Sequence, residues 1–164
     1  RSGSLSLLFL PDASLVVGGT NRGWGSRGAG DFALQRVQWS GIVPFEVLNV
    51  HALPRGFELS FTHPIDEQLA LKKSSWNVKG FTYIYQSSYG SPVVDEEECG
   101  VEKVEISQDR KKVRLIISNL REGVIHQITA AGVRCDEKAD EEIAGQPLLH
   151  DTAWYTLNRI PQQE

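Results

Sequence analysis

Phe57-Glu58-Leu59-Ser60-Phe61-Thr62 alternates apolar and polar residues, and the same period returns in Lys103-Val104-Glu105-Ile106 and in Lys112-Val113-Arg114-Leu115. A period of two is that of an extended strand, whose successive side chains point to opposite faces. One apolar and one polar face per strand belong to antiparallel sheets with one side wet. Working outward, the strands expected are Phe45 to His51, Phe57 to Thr62, Trp76 to Tyr85, Val101 to Ser107, Val113 to Ser118, Val124 to Val133 and Thr152 to Leu157. About seven short strands separated by turn signals predict an all-β antiparallel sandwich.

Gln108-Asp109-Arg110-Lys111 reads as a polar hairpin turn and Asn119 to Gly123 as a loop closed by glycine, so strands four to six are expected to form a meander. That meander would place Cys99 and Cys135 at opposite ends, about 20 Å apart at about 3.3 Å per residue. A disulfide needs Cα atoms within about 7 Å, so none is expected between them.

Ahead of the sandwich the pattern differs. Leu5 to Leu10 and Ser14 to Val17 flank the turn Pro11-Asp12-Ala13 and make a hairpin. Gly18 to Gly30 has no periodicity and reads as a glycine-rich loop, after which Leu34 to Trp39 is extended. Ser40-Gly41 and Pro44 mark a boundary, which divides the chain into residues 1–41 and a sandwich over 42–164. The hairpin strands carry unpaired edges and are expected to pair with the sandwich or with another copy of the chain.

The 164 residues hold 17 Lys and Arg against 21 Asp and Glu, a net charge of -4 that lacks the basic footprint of a nucleic-acid binder. No apolar run reaches the roughly 18 to 20 residues of a membrane-spanning helix. A start at Arg1-Ser2-Gly3 and the lack of methionine suggest a piece of a longer protein.

Motifs for chemistry are sparse. Gly23-Trp24-Gly25-Ser26-Arg27-Gly28 fits G-x-G-x-x-G, but only about ten residues follow before the next break, and they do not read as the helix that must receive a pyrophosphate. The four histidines His51, His63, His126 and His150 are scattered with no serine motif among them, so no catalytic triad is expected. His126, inside an apolar strand, is expected to be half-buried and hydrogen-bonded. No H-E-x-x-H or H-x-H offers a metal site. The acids Asp95 to Glu98, and Asp136, Glu137, Asp140, Glu141 and Glu142, read as solvated loops, with Ca²⁺ as the alternative. Arg22, Trp24 and Arg27 form a candidate sugar or anion platform, because a guanidinium beside an indole suits both. Phe81, Tyr83 and Tyr85 share one strand face with Tyr89 beyond it, a stacking surface for carbohydrate or, as favoured here, a face buried against the N-terminal segment. Trp76, Val78, Thr82 and Ile84 have the opposite parity and are core candidates.

Two stretches carry a resemblance. Leu15-Val16-Val17-Gly18-Gly19-Thr20-Asn21-Arg22-Gly23-Trp24-Gly25-Ser26-Arg27-Gly28, followed by Leu34-Gln35-Arg36-Val37-Gln38-Trp39, resembles the end of the β-propeller in large secreted multidomain proteins of planctomycete-type bacteria. Those propellers are similar to quinone-dependent glucose and sorbosone dehydrogenases, and the proteins often also carry haem-binding cytochrome c modules. Gly56 to Asp66, Val101 to Ser118 and Gly123 to Val133 are similar to bacterial Ig-like sandwich domains. The resemblance implies that any catalytic apparatus lies in propeller blades outside this chain, and no C-x-x-C-H occurs here to hold haem.

The expectation is therefore a noncatalytic Ig-like β-sandwich with a propeller-derived N-terminal segment, a structural or interaction module of a secreted or periplasmic protein. It would pack beside its parent's propeller and need no cofactor of its own. A carbohydrate-binding module using Trp24, Tyr83 or Tyr85 is the alternative, and completion of a sugar dehydrogenase site in trans is a third reading.

Overall fold

The computed structural model describes residues 3–20 and 30–162. They fall into two compact units, Arg1–Val43 and Pro44–Glu164.

In the first unit β1 (Gly3–Phe9), β2 (Leu15–Thr20) and β3 (Phe32–Val37) form an antiparallel sheet in the order β1-β2-β3. The turn between β1 and β2 is fixed by Asp12, whose Oδ1 accepts from the Ser14 amide at 3.1 Å and the Ser14 hydroxyl at 2.7 Å. Arg36 of β3 pairs with Asp12 and donates to Ser14 Oγ at 2.9 Å. Those hydrogen bonds from Ser14, with Arg36 alongside, hold the Asp12 carboxyl below the usual carboxylate range. β2 runs through Gly18-Gly19-Thr20, so the glycine-rich stretch begins inside a strand; Gly18 lets Ser6 of β1 lie directly against its backbone.

The second unit contains β4 (Val47–Leu53), β5 (Gly56–Phe61), the short helix α1 (Glu67–Ala70), a 3-10 turn at Lys73–Ser75, β6 (Asn77–Tyr83), β7 (Val93–Glu98), β8 (Val101–Ile106), β9 (Lys112–Ile117), β10 (Val124–Thr129) and β11 (Thr152–Leu157). They build two antiparallel four-stranded sheets, β4-β5-β9-β8 and β11-β10-β6-β7. The alternation orients each strand. Phe57, Leu59 and Phe61 of β5 and Val113, Leu115 and Ile117 of β9 face inward and meet Val78, Ile128 and Leu157 of the opposite sheet in one core. The fold is an all-β sandwich. Phe57 joins the sheets, its ring centroid 5.2 Å from that of His126 and 5.4 Å from that of Tyr155. On the wet face, Glu58 accepts from Arg114 Nε at 2.7 Å and lies 3.4 Å from Lys112. The Arg114 bond foremost lowers the Glu58 pKa.

Four expectations are corrected. The meander does not form: β8 and β9 make a hairpin, but β10 pairs with β6 and β11 in the other sheet. Alternation marks a wet and a dry side without saying which sheet a strand joins. Five residues, Asn119 to Gly123, easily span the ~10 Å between packed sheets, helped by positive φ at Asn119 and Gly123. Second, Asp95 to Glu98 lie in the strand β7, where Lys79 reaches Glu96 at 2.9 Å and Asn77 donates to Glu98 at 2.9 Å. Its charges suit the sheet edge it occupies, since they disfavour pairing with another chain. Third, Ile84 lies beyond the end of β6 and is exposed, not in the core. Fourth, β10 stops at Thr129, and Ala130 to Val133 form a turn in which the Val133 amide donates to Ala130 O at 3.0 Å.

Gly56 is where the backbone is least replaceable. It has φ of +150°, and a Cβ there would come within 1.9 Å of the Leu115 carbonyl oxygen. Gly56→Ala is expected to cost about 3 kcal/mol or more, through forced separation of β5 from β9, measured by denaturant unfolding. A loss under about 1 kcal/mol would mean the strands are not packed this closely.

Candidate functional site

Arg22, Trp24 and Arg27 lie outside the described residues. Tyr83 ends β6, half exposed, and stands edge-on to Phe81 with ring centroids 5.6 Å apart. Phe81 is buried but outside the main core, consistent with its position opposite in parity to Val78. Tyr85 and Tyr89 lie in the connection to β7 and are fully exposed. The reason is local: the strand ends at Tyr83, and the connection closes on itself. Gln86 Nε2 donates to Gly90 O at 2.7 Å, and Gly90 takes a positive φ of 82°.

A second group of exposed residues was not singled out by the sequence reading. Leu48 on β4 and Leu149 and Trp154 at or on β11 are all more than half exposed. An open groove of about 500 Å³ is lined by Leu148, Leu149, His150, Asp151, Thr152 and Trp154. Glu46 accepts from the His150 amide at 3.1 Å and meets its Nδ1 at 2.5 Å. Trp154 alternates with Tyr155 in β11, which identifies it as outward-facing; its register partner Gln127 carries no further marker of a site.

The second acidic group is not uniformly solvated. Asp136 is buried, paired with Arg110, and accepts from the Lys138 amide at 2.9 Å. Among the described residues no group of three His, Cys, Asp or Glu side chains is gathered for a metal ion. Cys99 and Cys135 are buried free thiols, and burial foremost raises the pKa of each. Such thiols are poor nucleophiles near neutrality. His126 is fully buried, and neither ring nitrogen has a hydrogen-bond partner. Its expected half-buried, hydrogen-bonded setting is thus corrected: it faces the Phe57 ring across the core and is paired with Gly80 on the adjacent strand, and neither offers a side-chain partner.

No protein-family model matches the chain, and no curated protein does. Solved structures of a bacterial surface-layer protein are similar in fold. The S-layer protein rSbsC(31-844) has 18% identity and a TM-score of 0.50 over 71% of this chain and 14% of that one. The N-terminal part of the bacterial S-layer protein SbsC has 18% identity and a TM-score of 0.51 over 71% of this chain and 24% of that one. The chain thus corresponds to less than a quarter of either protein.

The Asp136 pair separates a buried from a surface charge interaction. Arg110→Ala, which leaves the buried Asp136 carboxylate without its ion-pair partner, is expected to cost about 2 kcal/mol, whereas Arg114→Ala, whose guanidinium is more than half exposed and whose loss leaves Glu58 near Lys112, is expected to cost below about 1 kcal/mol. Equal losses in chemical denaturation would contradict the distinction.

Proposed function

We propose that the chain is a noncatalytic structural and interaction module of a larger extracellular protein. The observation that carries this reading is the three-stranded sheet of the first unit, which presents apolar side chains on both faces. Register puts Leu7, Phe9, Leu15, Val17 and Val37 on one face, and Leu8, Val16, Leu34 and Phe32 on the other. Leu7, Leu8, Phe9, Phe32, Leu34 and Val37 are each more than half exposed. A two-faced apolar sheet is an inner layer, and apolar patches of this kind mark protein contacts. The layers would come from the parent protein, in the resemblance from neighbouring propeller blades. The fold likeness to surface-layer protein domains supports a structural role at the cell exterior, and the sandwich interior holds a core of buried apolar side chains.

Exposure of Tyr83, Tyr85 and Tyr89 favours a second reading, carbohydrate binding by stacking on these rings.

Light scattering over a concentration series distinguishes the two. The full chain is expected to associate as concentration rises, and Phe9→Ser with Leu34→Ser, one on each face, is expected to lower its association at least tenfold. Residues 44–164 alone are expected to unfold cooperatively and remain monomeric. A full chain that stays monomeric and binds polysaccharide, with binding lost in a folded Tyr85→Ala variant, would replace the structural reading by the carbohydrate one.

A further inference from the structure

His126 sits at the centre of the sandwich, where a histidine is chemically out of place. It lies between Val124 and Ile128 on the inward side of β10, has no exposed surface, and both ring nitrogens lack a hydrogen-bond partner. Its neighbours come from four elements. Gly80 of β6 and Tyr155 of β11 flank it in the sheet, and Phe57 of β5 covers its ring from the opposite sheet. The loop between β9 and β10 brings Arg121, whose Nε is also buried and unpartnered.

We propose that His126 is an acid-sensitive latch, neutral in the folded sandwich, whose protonation forces open the contact between β10 and Phe57 and separates the two sheets. The charges around it make the latch one-directional. Arg121 is the charged group that acts on the ring, and it is held in place by Asp95 at 2.9 Å, Glu97 at 3.5 Å and the Gly80 carbonyl at 3.1 Å. Of the other charged groups on these elements, Glu58 of β5 is turned to the wet face with Arg114 and Lys112, Lys79 of β6 is paired with Glu96, and Glu122 of the loop accepts from the Ile160 amide at 2.6 Å. Tyr155 contributes an aromatic ring, 5.4 Å from that of Phe57. An imidazolium at this point would meet an aromatic ring and a guanidinium, with neither ring N–H satisfied. Burial first, and Arg121 second, lower the pKa of His126.

The direction of the effect follows. In the unfolded chain a histidine titrates near 6.5. Below that pH the unfolded chain takes up a proton that the folded sandwich refuses, so stability is complete above about 6.5 and falls as pH drops towards the lowered folded value. One proton of difference raises the unfolding equilibrium constant about tenfold per pH unit across that window.

Denaturant unfolding of the full chain at pH 7.5, 6.5, 5.5 and 5.0 tests this, beside the His126→Phe variant. The native chain is expected to lose about tenfold in the folding equilibrium per unit below 6.5, and the variant to lose little of it. In parallel, NMR of the imidazole carbons in the native chain should show His51, His63 and His150 separately from His126, whose signal stays that of a neutral ring until the sandwich unfolds. An unchanged pH slope in His126→Phe, or titration of His126 near 6.5 within the folded chain, would overturn the proposal. Should His126→Phe fail to fold, the NMR titration alone decides between the two outcomes.

Discussion

The sandwich depends on Phe57. Ladder hydrogen bonds run within each sheet, and what couples one sheet to the other is the side-chain layer in which this ring touches both His126 and Tyr155. Buried aromatic rings of this size dominate the energy of such cores. The position of Phe57 is set by its neighbour in sequence. Gly56 admits the Leu115 carbonyl into the space a side chain would take, which draws β5 tightly onto β9 and aims the next residue inward.

Around that contact, the charged groups serve the edges and turns. β7 ends one sheet with a row of acids tied to Lys79, Asn77 and Arg121, so that its open side is charged and repels a further strand. Asp66 caps α1 by accepting from the Leu69 amide at 2.9 Å, and α1 in turn offers the Ala70 carbonyl to the buried indole N–H of Trp76 at 2.7 Å. The chain thereby passes from β5 to β6, one sheet to the other, without leaving the Trp76 donor unsatisfied.

The alternation in β5, β8 and β9 made the sandwich legible, because each polar residue between apolar ones has a wet face to occupy. Strand existence followed from it; sheet membership did not. The short loop Asn119 to Gly123 fits a hairpin and a crossover equally well by length, and the choice rests on tertiary contacts such as Arg121 reaching the Gly80 carbonyl. β7 was hidden because four consecutive acids resemble a solvated loop, and only its partners on β6 make it a strand. Alternation put Tyr83 and Tyr85 on one strand face, but β6 ends at Tyr83 and Tyr85 lies beyond it in the connection to β7. Trp154 carried a period-two signal and nothing more, and His126 looked like an ordinary strand histidine because a sequence does not show what faces it across a core.

The first unit and the sandwich express two different solutions to apolar burial. The sandwich closes its own core, whereas the β1-β2-β3 sheet has apolar residues in register on both sides. That contrast underlies the assignment of a structural module, in which one part is self-sufficient and the other contributes a layer to a larger assembly. Amide hydrogen exchange on β5, β9, β6 and β10 tests the central claim that side-chain packing through Phe57 makes the two sheets one cooperative body. The expected result is a single opening free energy shared by the inner strands of both sheets. Separate values for the two sheets, with one opening while the other stays protected, would contradict it.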